Sequence, residues 1–223
     1  MRMRTYMMAT VAAVSLTYFA SAATIDTFQD GTTDGWFAGG LGTGQTPPVP
    51  PQVIANGGPA GVGDQFLQIT GLGGSGAGSR IVAINGSQWA GNYLGSGINA
   101  IAMDLNNLGN SILTIRLLFE DPMMAPPVDE AVTTFGITLP VGSGWTHVVF
   151  PISPASMTVI SGDVNTLLGN TTLLRIIDSP TPTDAVTIAG VLGVDNIASV
   201  APEPAMFMPV LGALGLLFLR RRR

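Results

Sequence analysis

The chain of 223 residues has no cysteine, no lysine and one histidine, His147. Without cysteine there is no disulfide framework, no thiolate-held zinc or iron–sulfur cluster, and no thiol nucleophile. One imidazole excludes metal sites and relays that need two. Cations are scarce away from the two ends. Residues 23–200 hold Arg80, Arg116 and Arg175 against thirteen Asp and Glu, a net charge of −10, whereas the whole chain carries −5. So few cations cannot neutralise a phosphate backbone, which excludes nucleic acid as a partner. Docking of this segment on an anionic membrane surface is excluded for the same reason. Neutral molecules, cations and other proteins remain.

The two ends differ in composition from the middle. Arg2 and Arg4 precede an uncharged, mostly apolar stretch over residues 7–19, and Ala20-Ser21-Ala22 follows with the small residues of a cleavage site. This order is that of a secretory signal peptide over residues 1–22, removed by signal peptidase so that the mature chain starts near Ala23. At the other end stand Pro202-Glu203-Pro204, an uncharged stretch over residues 205–219, and the cluster Arg220, Arg221, Arg222 and Arg223. A helix of that length spans roughly 22 Å, short of the ~30 Å hydrocarbon layer. The arginine cluster acts as a stop-transfer signal and keeps the tail cytoplasmic. In these ordered features residues 201–223 resemble the PEP-CTERM sorting signal of Gram-negative bacteria. The resemblance implies a transient membrane intermediate, an exosortase-type enzyme that cuts near Pro202-Glu203-Pro204, and an end point at the cell surface or in the extracellular matrix.

Glycine supplies 27 of the 178 residues between these ends, about twice its usual ~7%. No sustained 3.6-residue apolar period occurs there. Short apolar or alternating runs recur instead between clusters of Gly, Asn, Asp and Pro, at residues 24–28, 65–69, 80–84, 98–105, 113–119, 132–139, 146–152, 173–177 and 193–197. Nine short strands with turns between them predict an all-β domain over residues 23–200, an antiparallel β-sandwich or jelly roll. One or two helical turns are expected at residues 163–168, where Gly162-Asp163 offers a cap and Gly169 a stop. Asp26-Thr27-Phe28-Gln29-Asp30-Gly31 with Gly35-Trp36, Trp89-Ala90-Gly91-Asn92-Tyr93, and Val194-Asp195-Asn196-Ile197 are similar to phrases of galactose-binding-like jelly rolls, the fold of many carbohydrate-binding modules. That resemblance implies that the first and last strands lie side by side.

Gly71-Leu72-Gly73-Gly74-Ser75-Gly76 fits the dinucleotide pattern, but no helix signal follows and no acid occurs between Asp64 and Asp104. It reads as a hairpin loop. No Gly-x-Ser-x-Gly elbow is present, and His147 falls at a surface or edge position of an alternating strand. Glu120-Asp121 and Asp129-Glu130 flank a proline-dense loop. A carboxylate pair can hydrolyse a glycoside, which makes a hydrolase of matrix polysaccharide the alternative function, although such acids are expected to be solvated. With first and last strands adjacent, Asp26 or Asp30 would approach Asp195, with Asp64 as an addition, giving the oxygen-rich set a structural calcium ion wants. Aromatic rings stack on sugars. Trp36 and Trp145 sit next to strands and are expected in the core. Trp89 and Tyr93 lie in a Gly/Asn-rich loop, where they either pack down or form a sugar-binding platform. The function expected is non-catalytic, binding or structural, in the cell envelope or the exopolysaccharide matrix.

Overall fold

The computed structural model describes residues 23–38, 49–74, 79–123 and 126–201. Signal cleavage at Ala20 and Ala22, the sorting motif Pro202, Glu203 and Pro204, and the Arg220, Arg221, Arg222 and Arg223 cluster lie outside these residues. Twelve strands and one short helix follow one another from Ala23 onward. They are β1 (Ile25–Asp26), β2 (Gln52–Ile54), β3 (Phe66–Leu72), β4 (Val82–Asn85), β5 (Ala100–Asn107), β6 (Leu113–Asp121), β7 (Asp129–Thr133), β8 (Ile137–Leu139), β9 (Thr146–Pro151), β10 (Met157–Ser161), α1 (Val164–Gly169), β11 (Leu173–Asp178) and β12 (Ala189–Val200). All pairings are antiparallel. The six-residue α1 is the one α-helix among the described residues and is too short to cross a membrane.

Two sheets face each other. The terminal sheet runs β2-β3-β12-β5-β9, with β1 also on β12; the middle sheet runs β10-β7-β6-β11-β4, with β8 on β6. This is the β-sandwich that the strand spacing predicts. Alternation builds its core. Leu67 and Ile69 of β3, Ile101, Met103 and Leu105 of β5, and Leu192 and Val194 of β12 meet Leu113, Ile115, Leu117 and Phe119 of β6 and Leu174 and Ile176 of β11. Because side chains alternate along a strand, their neighbours in sequence are left on the two outer faces.

The outer faces differ. On the middle sheet, Leu118, Val132 and Ile177 are buried on the outside, because the connection from β11 to β12 crosses them and inserts Ala185. On the terminal sheet the outer face is polar and more open. It carries Gln68 and Thr70 of β3, Asp104 and Asn106 of β5, and His147 and Val149 of β9.

Candidate functional site

The first and last strands do lie side by side, with Asp26 of β1 opposite Ile197 of β12. Their acids nevertheless do not meet. Asp26 faces the core, whereas Asp195 pairs with Asp104 on the outer face, so β12 itself separates the two carboxylates. A bulge between Asp195 and Ala198, with Asn196 at φ 50°, reverses the alternation. The Asp26 carboxylate accepts from Trp36 Nε1 at 2.7 Å, Trp89 Nε1 at 2.6 Å and Gln88 Nε2 at 3.1 and 3.2 Å. Its lone pairs are thus spent on protein donors. Asp30 sits in an exposed turn, accepting from the Thr32 backbone N–H and hydroxyl at 2.8 Å each, and these bonds hold its carboxyl below the usual range. Asp64 accepts from Gln29 Nε2 at 2.8 Å and the Ala60 N–H at 2.6 Å. Gln29 also donates to the carbonyls of Thr27 and Gln65, so an amide links groups that an ion would otherwise bridge. Among the described residues no three acids or histidines are arranged to hold a metal ion. The approach of Asp26 to Asp195 expected for a calcium ion is therefore corrected: β12 separates the two carboxylates, and Trp36, Trp89 and Gln88 occupy Asp26, while Asp195 keeps Asp64 and Asp104 as its acidic neighbours.

Of the two alternatives for the Gly/Asn-rich loop, the structure shows packing down and not the sugar-binding platform. Trp89 and Tyr93 are 2% and 3% exposed. Trp89 is drawn in by Asp26. The Tyr93 hydroxyl donates to the Trp89 carbonyl at 2.7 Å, and its ring packs edge-on against Phe119 at 5.2 Å. Burial pushes that phenol well above its ordinary range. Trp36 joins them in the core, as expected, 6.4 Å from Trp89 between ring centroids. Trp145, also expected in the core, is instead half-buried on the outer face of the terminal sheet. It packs edge-on against Phe66 at 5.2 Å and donates to the Gly57 carbonyl at 2.7 Å.

The most concentrated chemistry lies on the outer face of the middle sheet. Glu120 of β6 is directly opposite Glu130 of β7, and Asp121 opposite Asp129. The expectation that these acids are solvated fails for Glu120, which is 1% exposed, and for Asp129, which is 8% exposed. Arg175 of β11 reaches its Oε1 at 2.6 Å, while Oε2 is buried without a partner. Burial pushes the Glu120 carboxyl up to about 7, with Glu130 and Asp184 adding to the effect and Arg175 opposing it. Burial also raises half-buried Glu130. Arg175 turns its other side to Asp184 at 3.8 Å, and Arg80 meets Asp184 at 3.5 Å and the Ala185 carbonyl at 2.9 Å. Arg116 donates to the carbonyls of Ser179, Thr133, Thr134 and Pro180 at 2.6–3.1 Å. All three arginines of residues 23–200 thus brace the segment that follows β11.

This arrangement fixes a guanidinium between carboxylates, with Arg175, Glu130 and Asp184 partly open to solvent. It offers donors and acceptors side by side, the pattern that adjacent sugar hydroxyls need. It does not suit glycoside hydrolysis. A general acid must reach the leaving oxygen, yet Glu120 is held by Arg175 and its second oxygen is shut off from solvent. Sequence could supply the four acids but not Arg175, because only the β6–β11 register, with Leu173 opposite Glu120, brings it there.

No protein-family model and no curated protein matches the sequence. Among solved structures the fold is similar to a family 11 carbohydrate-binding module from Clostridium thermocellum, determined in complex with a β-1,3-1,4-mixed-linked tetrasaccharide. Identity is 15%, with 80% of this chain and 95% of that chain covered, at a TM-score of 0.52. It is also similar to part of an exo-β-agarase, at 12% identity, 82% of this chain, 26% of that chain and a TM-score of 0.55. At such identities the likeness is one of fold: the chain folds as the jelly roll of these carbohydrate-binding and carbohydrate-processing proteins.

Proposed function

We propose that residues 23–200 form a non-catalytic carbohydrate-binding domain that holds a neutral polysaccharide on the outer face of the middle sheet. The observation that carries this reading is Arg175, fixed between buried Glu120 and Asp184 and beside half-exposed Glu130. A donor already immobilised by protein loses little freedom when a ligand arrives. The net charge of −10 over these residues favours neutral over acidic polymers. The likeness to a family 11 module supports the same reading. In native gels containing mixed-linked β-glucan or agarose, the exported protein is expected to be retarded, and in alginate gels it is not. Glu130→Ala should weaken retention about tenfold, a loss of about 1.4 kcal/mol. Mobility unchanged by every neutral polysaccharide would overturn the proposal.

We further propose, from the sequence of the two ends, that this domain is exported. Residues 1–22 direct export, and residues 201–223 present the tail to an exosortase-type enzyme from a transient inner-membrane intermediate. Mass spectrometry of the surface form should find a start near Ala23 and an end close to Pro202–Pro204. A mature population that keeps Arg220, Arg221, Arg222 and Arg223 would replace sorting by permanent anchoring.

A further inference from the structure

We propose a second binding surface for neutral polysaccharide, on the outer face of the terminal sheet and centred on Trp145; it rests on the carbohydrate-binding reading above. Register sets out its parts. Gln52, Gln68, Gly193 and Asn106 are successive partners across β2, β3, β12 and β5. Three strand spacings of about 4.8 Å make this row roughly 14 Å long, enough for a short stretch of sugar chain. Trp145 lies over its centre. A Cβ added at Gly193 would sit 2.9 Å from Trp145 Cη2, so only glycine lets the indole come this close to β12. The ring is held on two further sides, by the edge-on contact with Phe66 and by the bond to the Gly57 carbonyl.

Polar groups flank the indole. Gln52 is exposed, and Gln68 and Asn106 are half-exposed. In the adjoining row the 65%-exposed His147 bonds through Nδ1 to Asp104 Oδ1 at 2.8 Å, and Asn196 Nδ2 donates to Asp104 Oδ2 at 2.7 Å. That chain orients the imidazole and leaves its Nε2 edge outward. A rigid indole stacks on the apolar face of a pyranose while carboxamides and imidazole bond its hydroxyls. Charge selects the occupant. Arg80, Arg116 and Arg175 all serve the other sheet, and the partly exposed acid on this face is Asp104. Among the described residues here His147 is the one side chain that can carry positive charge, and it is paired with Asp104, so an anionic polymer finds little counter-charge, whereas a neutral glycan needs none.

Surfaces on opposite sheets would let one domain hold two chains and cross-link a matrix. Tryptophan fluorescence of the exported protein tests the site directly, because Trp36 and Trp89 are each 2% exposed and Trp145 is the accessible ring. Mixed-linked β-glucan should protect this emission from acrylamide quenching at least twofold, in wild type and in Glu130→Ala alike. Trp145→Phe should remove the quenchable component. The double substitution Gln68→Ala/Asn106→Ala, on half-exposed outer-face positions that leave the core intact, should abolish protection. Light scattering of wild type with glucan should rise near equivalence and fall in excess glucan, and either set of substitutions should prevent the rise. Retardation by glucan without protection of Trp145 would overturn this second surface and leave the first standing. Scattering that needs no glucan would assign the face to a second copy of the chain. No retardation of any form would overturn both readings.

Discussion

The Asp26 carboxylate accepts from two indoles and one carboxamide, and these bonds decide where a whole loop goes. Residues 85–93 have the composition of an exposed turn, but Trp89 carries a donor that must be satisfied if its ring is buried. Asp26 supplies the acceptor from 63 positions away, and the ring follows. Tyr93 then bonds the Trp89 carbonyl and packs on Phe119. Gln88 also reaches the Asp34 carbonyl, which fastens the loop to the first turn. Replacing Asp26 with Ala would strand two buried N–H groups at about 1–3 kcal/mol each. Asp26→Ala should therefore lower stability in urea by about 3–5 kcal/mol, and Asp26→Asn by less because one acceptor remains. A loss below about 1 kcal/mol would show that the indoles find other acceptors.

Alternation and turn residues are local, so elements were legible where burial is one-sided. Each of the nine expected positions contains a strand, and the run at 132–139 divides into the end of β7 and β8 at Thr134-Phe135-Gly136. The helix was legible from its cap, since Asp163 accepts from the Thr166 N–H at 2.8 Å. β2 went unread because it is three residues long and follows Pro50 and Pro51. β10 went unread because it pairs only with β7, at the sheet's edge, and shows Val159 and Ile160 to solvent, which erases the period of two. β12 is twelve residues long, yet only residues 193–197 in its middle read as strand, because Gly190 looks like a breaker. In the sheet these glycines admit neighbours: Leu113 and Ile81 approach Gly190, and Trp145 approaches Gly193. The candidate sites were less legible than the fold. Glu120 and Glu130 were visible as acids, but their pairing, the burial of Glu120 and the approach of Arg175 follow from register across three strands. Trp145 was visible as an aromatic, yet its side of the sheet depends on where β9 joins β5.

Across the whole molecule, scarce positive charge and buried acid have a joint consequence for stability. The three arginines among the described residues are committed around residues 178–185, so Asp195, on the other sheet, has no cation partner among those residues. It is fully buried, accepts the Asn196 N–H at 2.7 Å through Oδ1, and leaves Oδ2 unbonded. Burial, helped by Asp64 and Asp104 and opposed by that N–H, pushes its carboxyl up to about 7. Glu120 reaches about 7 on the middle sheet. In the unfolded chain both groups return to about 4. The folded state therefore binds more protons than the unfolded state between about pH 4 and 7, and stability falls as pH rises through that window. Each group contributes on the order of 4 kcal/mol at most, since one pKa unit is worth about 1.4 kcal/mol. Asp30 and Asp163, lowered by turn and cap bonds, act in the opposite sense and lose their contribution only below the normal carboxylate range. The melting temperature should therefore be highest near pH 4–5 and fall by several degrees toward pH 8. Asp195→Asn should leave the melting temperature at pH 5 nearly unchanged, raise it at pH 8 and flatten the profile. A wild-type melting temperature that stays level or rises from pH 5 to pH 8 would mean that both carboxylates are ionised in the folded protein at little cost.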